Sequence, residues 1–175
     1  MHVLFLYAST GSGHYKAARY VKQAIVRENP DICCSMADVL NLCTIPVESF
    51  ILKGFRIIIS RFPRIYKLLY QLTENNALFN LAAGLLFSES IKQLIKLCTD
   101  FSISSIVCTH PFALLFASRL KKRLGKKAPV TMGIITDYRI HRFWLYRPID
   151  MYFVPNEEMK SELLNLGWEN DKVHI

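Results

Sequence analysis

Residues 2–14 read His-Val-Leu-Phe-Leu-Tyr-Ala-Ser-Thr-Gly-Ser-Gly-His. The first seven form a continuous apolar run of strand length, the pattern of a strand buried on both faces of a parallel sheet. The abrupt change to small and polar residues at Ser9 predicts a turn at the strand's end. From His14 the period changes: Ala17, Ala18, Val21, Ala24 and Ile25 recur at helical spacing, with Lys16, Arg19, Lys22 and Arg27 on the other side. A strand, a glycine-containing turn and a helix that packs on a sheet make the first unit of a βαβ crossover.

Outward from this unit the alternation returns. Strands are predicted at 32–39, 102–108, 130–135, 151–154 and 173–175, and helices at 88–100, 112–124 and 156–166. Strands alternating with helices imply right-handed crossovers and a parallel sheet covered on both faces. The fold class expected is therefore α/β, a Rossmann-like doubly wound parallel sheet in one domain spanning 1–175. Residues 45–87 break the rhythm with a helical pattern, and between 49 and 73 there are five bases and no acid. Lys53, Arg56, Arg61, Arg64 and Lys67 alternate there with Phe50, Phe55, Phe62 and Tyr66.

Composition narrows the function classes. With 22 Lys and Arg against 14 acids the net charge is +8, which favours phosphate-bearing partners, either nucleic acid or an anionic membrane. No helix-turn-helix, RNP or finger signature accompanies the charge, so no nucleic-acid partner is expected. The five cysteines lack CxxC spacing and read as reduced thiols of a cytosolic protein. The five histidines lack ligand spacing, so no metal site is expected. The first apolar run has no basic leader, which argues against a secretory signal, and no run reaches the length of a membrane span.

In an open parallel sheet ligands sit beyond the carboxyl ends of the strands. Three post-strand positions stand out. Gly11-Ser12-Gly13-His14 lets the backbone approach a ligand at a helix start, but it is neither a Walker A sequence nor a dinucleotide fingerprint, because Tyr15 and Lys16 stand where those motifs need other residues. The positive helix end disfavours imidazolium, which suits His14 to a general base; a plain helix-capping histidine is the competing reading. Thr109-His110-Pro111 follows the strand ending at Cys108, and proline restrains His110 to extended geometry at the sheet's rim, where a purely structural role is the favoured reading of the residues. In the third stretch, Thr136-Asp137-Tyr138 with His141 and Trp144, Asp137 either orients His14 or a substrate hydroxyl or merely caps the loop. Trp144 offers an amphipathic surface for a lipid.

These motifs, followed by Tyr152-Phe153-Val154-Pro155-Asn156-Glu157-Glu158-Met159 and the helix after it, occur in the order seen in one family. Over its whole length the chain resembles the amino-terminal domain of the monogalactosyldiacylglycerol synthase and processive diacylglycerol glucosyltransferase family. The resemblance implies the amino-terminal half of a GT-B fold. It further implies transfer of a hexose from a UDP-sugar co-substrate to diacylglycerol, without a cofactor. Carried over residue by residue, His14 is the catalytic base, assisted by Asp137. Gly11, Ser12 and Gly13 form the donor-phosphate loop. His110, Pro111, Tyr138, His141 and Trp144 are acceptor-binding positions.

The basic and aromatic segment within 45–87 falls where the family carries its membrane-associating region. The expected partners are thus diacylglycerol and anionic membrane lipid, with the protein peripheral on the inner face of the cell membrane. The resemblance also implies a second domain that binds the UDP-sugar. These 175 residues do not contain it and are expected to be inactive alone. A non-catalytic lipid-binding module is the alternative reading.

Overall fold

The computed structural model describes residues 1–9, 12–43 and 87–175. Six parallel strands, β1 (His2–Tyr7), β2 (Cys33–Asp38), β3 (Ser105–Cys108), β4 (Val130–Ile134), β5 (Met151–Phe153) and β6 (Val173–His174), form one sheet in the order β2-β1-β3-β4-β5-β6. Among the described residues the helices are α1 (Ser12–Glu28), α2 (Ser88–Asp100), α3 (Pro111–Leu124) and α4 (Glu157–Asn165). The chain is α/β and doubly wound, as its alternation predicts.

The apolar run at the amino terminus is buried from Val3 to Leu6, and its two-residue period divides it between two cores. Val3 and Phe5 pack with Ala18, Val21 and Ile25 of α1 and with Val107 of β3. Leu4 and Leu6 join the larger core on the other face, with Leu94 of α2, Leu114 and Phe116 of α3, and Leu163 of α4. Each such fully buried side chain contributes roughly 1.5–3 kcal/mol relative to exposure. A strand between two cores must be apolar on both faces, which is why this stretch shows no polar alternation.

Strand β1 therefore lies inside the sheet, with β2 on one side and β3 on the other. The chain leaves β1 in one direction, returns, and continues in the other, so the order reverses between β1 and β3. At such a switch point the connections on either side diverge and leave a crevice beyond the strands' carboxyl ends. His14 follows one of these strands and Thr109 and His110 follow the other.

Boundaries differ from expectation where the local pattern is silent. Helix α1 begins at Ser12 rather than His14, because serine and glycine carry no apolar group that would reveal the helical period. Strand β3 begins at Ser105 rather than 102. Ser102 adopts φ 48 and closes the end of α2, with its N–H donated to the Thr99 carbonyl and that of Ile103 to the Cys98 carbonyl. At the start of β4, Asp150 accepts the Thr131 N–H at 2.7 Å, the Thr131 hydroxyl at 2.9 Å and a bond from Lys121. Burial raises this carboxyl's pKa, but the hydrogen bonds from Lys121 and Thr131 outweigh it and hold the group below its ordinary range.

Gly133 of β4 is required by its neighbours. A Cβ there would lie 2.8 and 2.9 Å from two ring carbons of Tyr152 and 3.2 Å from a Leu114 methyl. Gly133→Ala is expected to cost about 1–3 kcal/mol, since a close-packed core yields only by strain. Urea unfolding would measure it, and an unchanged midpoint would show that the Tyr152 ring gives way freely.

Candidate active site

The candidate site at the switch point is built by the ends of three strands. Tyr7 ends β1, and α1 begins five residues on, with His14 in its first turn and half-buried. Thr109 and His110 join β3 to α3, and Thr136 lies two residues beyond β4. His14 Nδ1 is 2.8 Å from the Thr109 carbonyl oxygen and 2.8 Å from Thr136 Oγ1. A carbonyl oxygen can only accept, so Nδ1 carries a proton, and in the neutral ring Nε2 holds the lone pair. The Thr109 hydroxyl donates to the main-chain carbonyl of His14 at 2.9 Å, so strand β3 grips both the ring and the backbone of this residue.

His110 meets the conformation its proline dictates. Its φ of −143 and ψ of 142 are extended, Pro111 opens the helix, and Nδ1 accepts the Phe112 N–H at 3.0 Å as the amino-terminal cap. His110 thus has a structural part as the helix cap, and its ring also stands edge-on to His14, with centroids 4.5 Å apart at 84°. Burial first, and the neighbouring His14 second, push its pKa down to about 3, so this imidazole is neutral. With Nδ1 accepting, its proton lies on Nε2.

Asp137 and Trp144 come together, though in a way the sequence did not lead us to expect. The indole N–H of Trp144 donates to Asp137 Oδ2 at 2.8 Å. Asp137, read as orienting His14 or a substrate hydroxyl, is engaged with the indole through Oδ2, and two threonines hold the histidine. Trp144 is fully buried, so it does not present the open amphipathic surface expected of it; its ring centroid is 6.4 Å from that of His14, forming a wall of the cluster. Burial wins because a tryptophan contributes more by filling the core beneath the loop than by lying exposed on it. Tyr152 secures this loop from below: its hydroxyl donates to the Trp144 carbonyl at 2.7 Å and accepts the Tyr146 N–H at 3.0 Å.

The remaining predicted positions divide. Ser12 and Gly13 are exposed in the first turn of α1, and a Cβ on Gly13 would meet nothing within 4 Å, so neither packing nor backbone strain calls for glycine there. A side chain at that point would project into open space beside His14, space that glycine leaves clear. Tyr138 and His141 are exposed, and His141 contributes its carbonyl to the turn that carries Trp144. Gly11 and the whole proposed membrane set from Phe50 to Lys67 lie outside the described residues. Among the described residues no group of three or more His, Cys, Asp or Glu is arranged to hold a metal ion, and no helix is long and apolar enough to cross a membrane.

Thr109 and Thr136 were quoted within their motifs but not singled out. The signal available was their position, one and two residues beyond a strand at the rim where ligands bind. Tyr152 gave no signal, since it reads as an ordinary core aromatic.

The fold and the imidazole at its switch point define a Rossmann-like α/β domain with a candidate site at its strand ends. Structural comparison finds the same fold in a larger protein. A lipopolysaccharide outer core galactosyltransferase superimposes with a TM-score of 0.62 at 13% identity, over 100% of this chain and 45% of that one. The chain belongs to the monogalactosyldiacylglycerol (MGDG) synthase family, whose model matches residues 14–175. Among curated proteins, a processive diacylglycerol beta-glucosyltransferase of Bacillus licheniformis is 26% identical over 180 residues, covering 99% of this chain. Another from Bacillus cytotoxicus is 24% identical over 174 residues, covering 98%. The chain spans 44% and 43% of these relatives' lengths, less than half of each.

Proposed function

We propose that this chain is the acceptor-side domain of a glycolipid-forming glycosyltransferase that moves a hexose from a UDP-sugar to diacylglycerol at the inner face of the cell membrane. Family membership and the described activity of the Bacillus relatives support the substrate class. The observation that carries the chemistry is His14, whose Nδ1 proton is committed to Thr109 and Thr136, leaving Nε2 as the ring's proton acceptor.

In this reading Nε2 takes the proton of the diacylglycerol hydroxyl while the hydroxyl oxygen attacks the anomeric carbon of the sugar. The bond from that carbon to the diphosphate breaks with inversion, and UDP leaves with the electron pair. The open space at Gly13 and the amino-terminal end of α1 suit an approaching phosphate. Asp137, steadied through Oδ2 by the indole, has its other oxygen available for a polar group of the acceptor. The UDP-sugar itself is assigned chiefly to a second domain, in keeping with relatives more than twice as long. Basic residues near an anionic surface contribute about 1 kcal/mol each, so the segment from Phe50 to Lys67 is the proposed membrane attachment.

The test is transfer by the full-length gene product, supplied with UDP-glucose or UDP-galactose and with diacylglycerol in vesicles containing anionic lipid. Incorporation of hexose into an organic-soluble product is expected. No incorporation from either sugar would reject the proposal.

A further inference from the structure

We infer that Thr136 is a positioning residue: its hydroxyl, together with the Thr109 carbonyl, keeps the His14 proton on Nδ1 and the ring in the one orientation that offers Nε2 to a substrate. The inference deepens the proposed function and rests on it for its catalytic consequence, though not for its geometry.

Four distances define the arrangement. Nδ1 of His14 has two oxygens at 2.8 Å, the Thr109 carbonyl and the Thr136 hydroxyl, and those two oxygens are 3.4 Å apart. The Thr109 hydroxyl is directed elsewhere, to the His14 carbonyl at 2.9 Å. One assignment of protons satisfies every contact. The Nδ1 proton is shared between the carbonyl and the Thr136 oxygen, and the Thr136 hydroxyl hydrogen points at the same carbonyl. Turning the imidazole over would put a C–H group against both oxygens and lose both bonds.

A histidine that works as a base is usually oriented through its second nitrogen by an acceptor group. Here, among the described residues, no carboxylate takes that part. Around the ring stand His110, neutral and edge-on, and the Trp144 indole, while Asp137 receives the indole N–H. The Thr109 carbonyl belongs to the backbone and would remain in any variant, so the removable half of the device is the Thr136 hydroxyl. Valine at 136 keeps the branched shape and deletes the oxygen; serine keeps the oxygen.

Two measurements test the inference. With nitrogen-15-labelled histidine in the 175-residue chain, long-range proton–nitrogen spectra should show the His14 proton on Nδ1. In Thr136→Val both tautomers should appear, and in Thr136→Ser only the original one. In the full-length product, Thr136→Val should lower kcat about tenfold with the acceptor KM unchanged, a part of the roughly 10²–10⁴ that a general base supplies, while Thr136→Ser stays within about twofold. A wild-type proton on Nε2, a single unchanged tautomer in the valine variant, or equal transfer by the valine and serine variants would each overturn it. If the spectra come out as expected but His14→Ala transfers normally, the base assignment fails and the tautomer lock stands.

Discussion

His14→Ala in the full-length product is expected to reduce hexose transfer by roughly 10²–10⁴-fold, the range supplied by a positioned general base. The loss should fall on kcat. The substituted position is half-buried at the end of a helix whose packing depends on Ala18, Val21 and Ile25, so the fold should be retained. Unfolding midpoint and vesicle binding are the controls, and both should match the parent protein. Transfer within about threefold of the parent would remove His14 from the chemistry, because no lesser role of a general base gives so small an effect. The crevice would then need another proton acceptor. His110 is a poor substitute, since its Nδ1 is occupied as a helix cap and its proton lies on the nitrogen that would have to accept.

Trp144→Ala is expected to cost about 3–5 kcal/mol of stability, the range for removing a large fully buried aromatic. The indole is 0% exposed, and it packs in the same core as Ile135, Ile149 and Tyr152. Trp144→Phe separates packing from hydrogen bonding. It keeps most of the buried volume but deletes the N–H that binds Asp137 at 2.8 Å, and it should cost about 1–3 kcal/mol. Urea denaturation of the three proteins gives the comparison. An alanine variant within about 1 kcal/mol of the parent would mean that the core beneath the loop collapses around the gap. In transfer assays the phenylalanine variant should raise the acceptor KM more than it lowers kcat, because the carboxylate it frees is assigned to holding the acceptor.

Much of the fold was legible because strand burial and helical periodicity are local signals. The apolar stretch at Val3 to Leu6 announces a doubly buried strand, and the helix predicted at 88–100 matches α2 residue for residue. Where a boundary was missed, the deciding feature was one that residue type conceals: an αL serine at 102, or a first helical turn of serine and glycine. In the site, His14 and His110 fell where the rim rule puts ligand-binding groups, and the geometry brings their rings into contact. Asp137 was read as orienting either His14 or a substrate hydroxyl; its bond from the indole seven residues away was not foreseen.

The chain's own sequence was enough to determine the class of fold and the histidine just beyond its first strand, since each follows from alternation between strand and helix along neighbouring residues, whereas the strand order that makes a switch point there is tertiary. Only the tertiary structure decided which atoms hold that histidine. Thr109 and Thr136 lie 95 and 122 residues from it along the chain, and hydrogen bonding is decided over ångströms. Three strand ends have to be laid side by side before a carbonyl and a hydroxyl can share one imidazole proton, and no pattern within any single segment records that encounter.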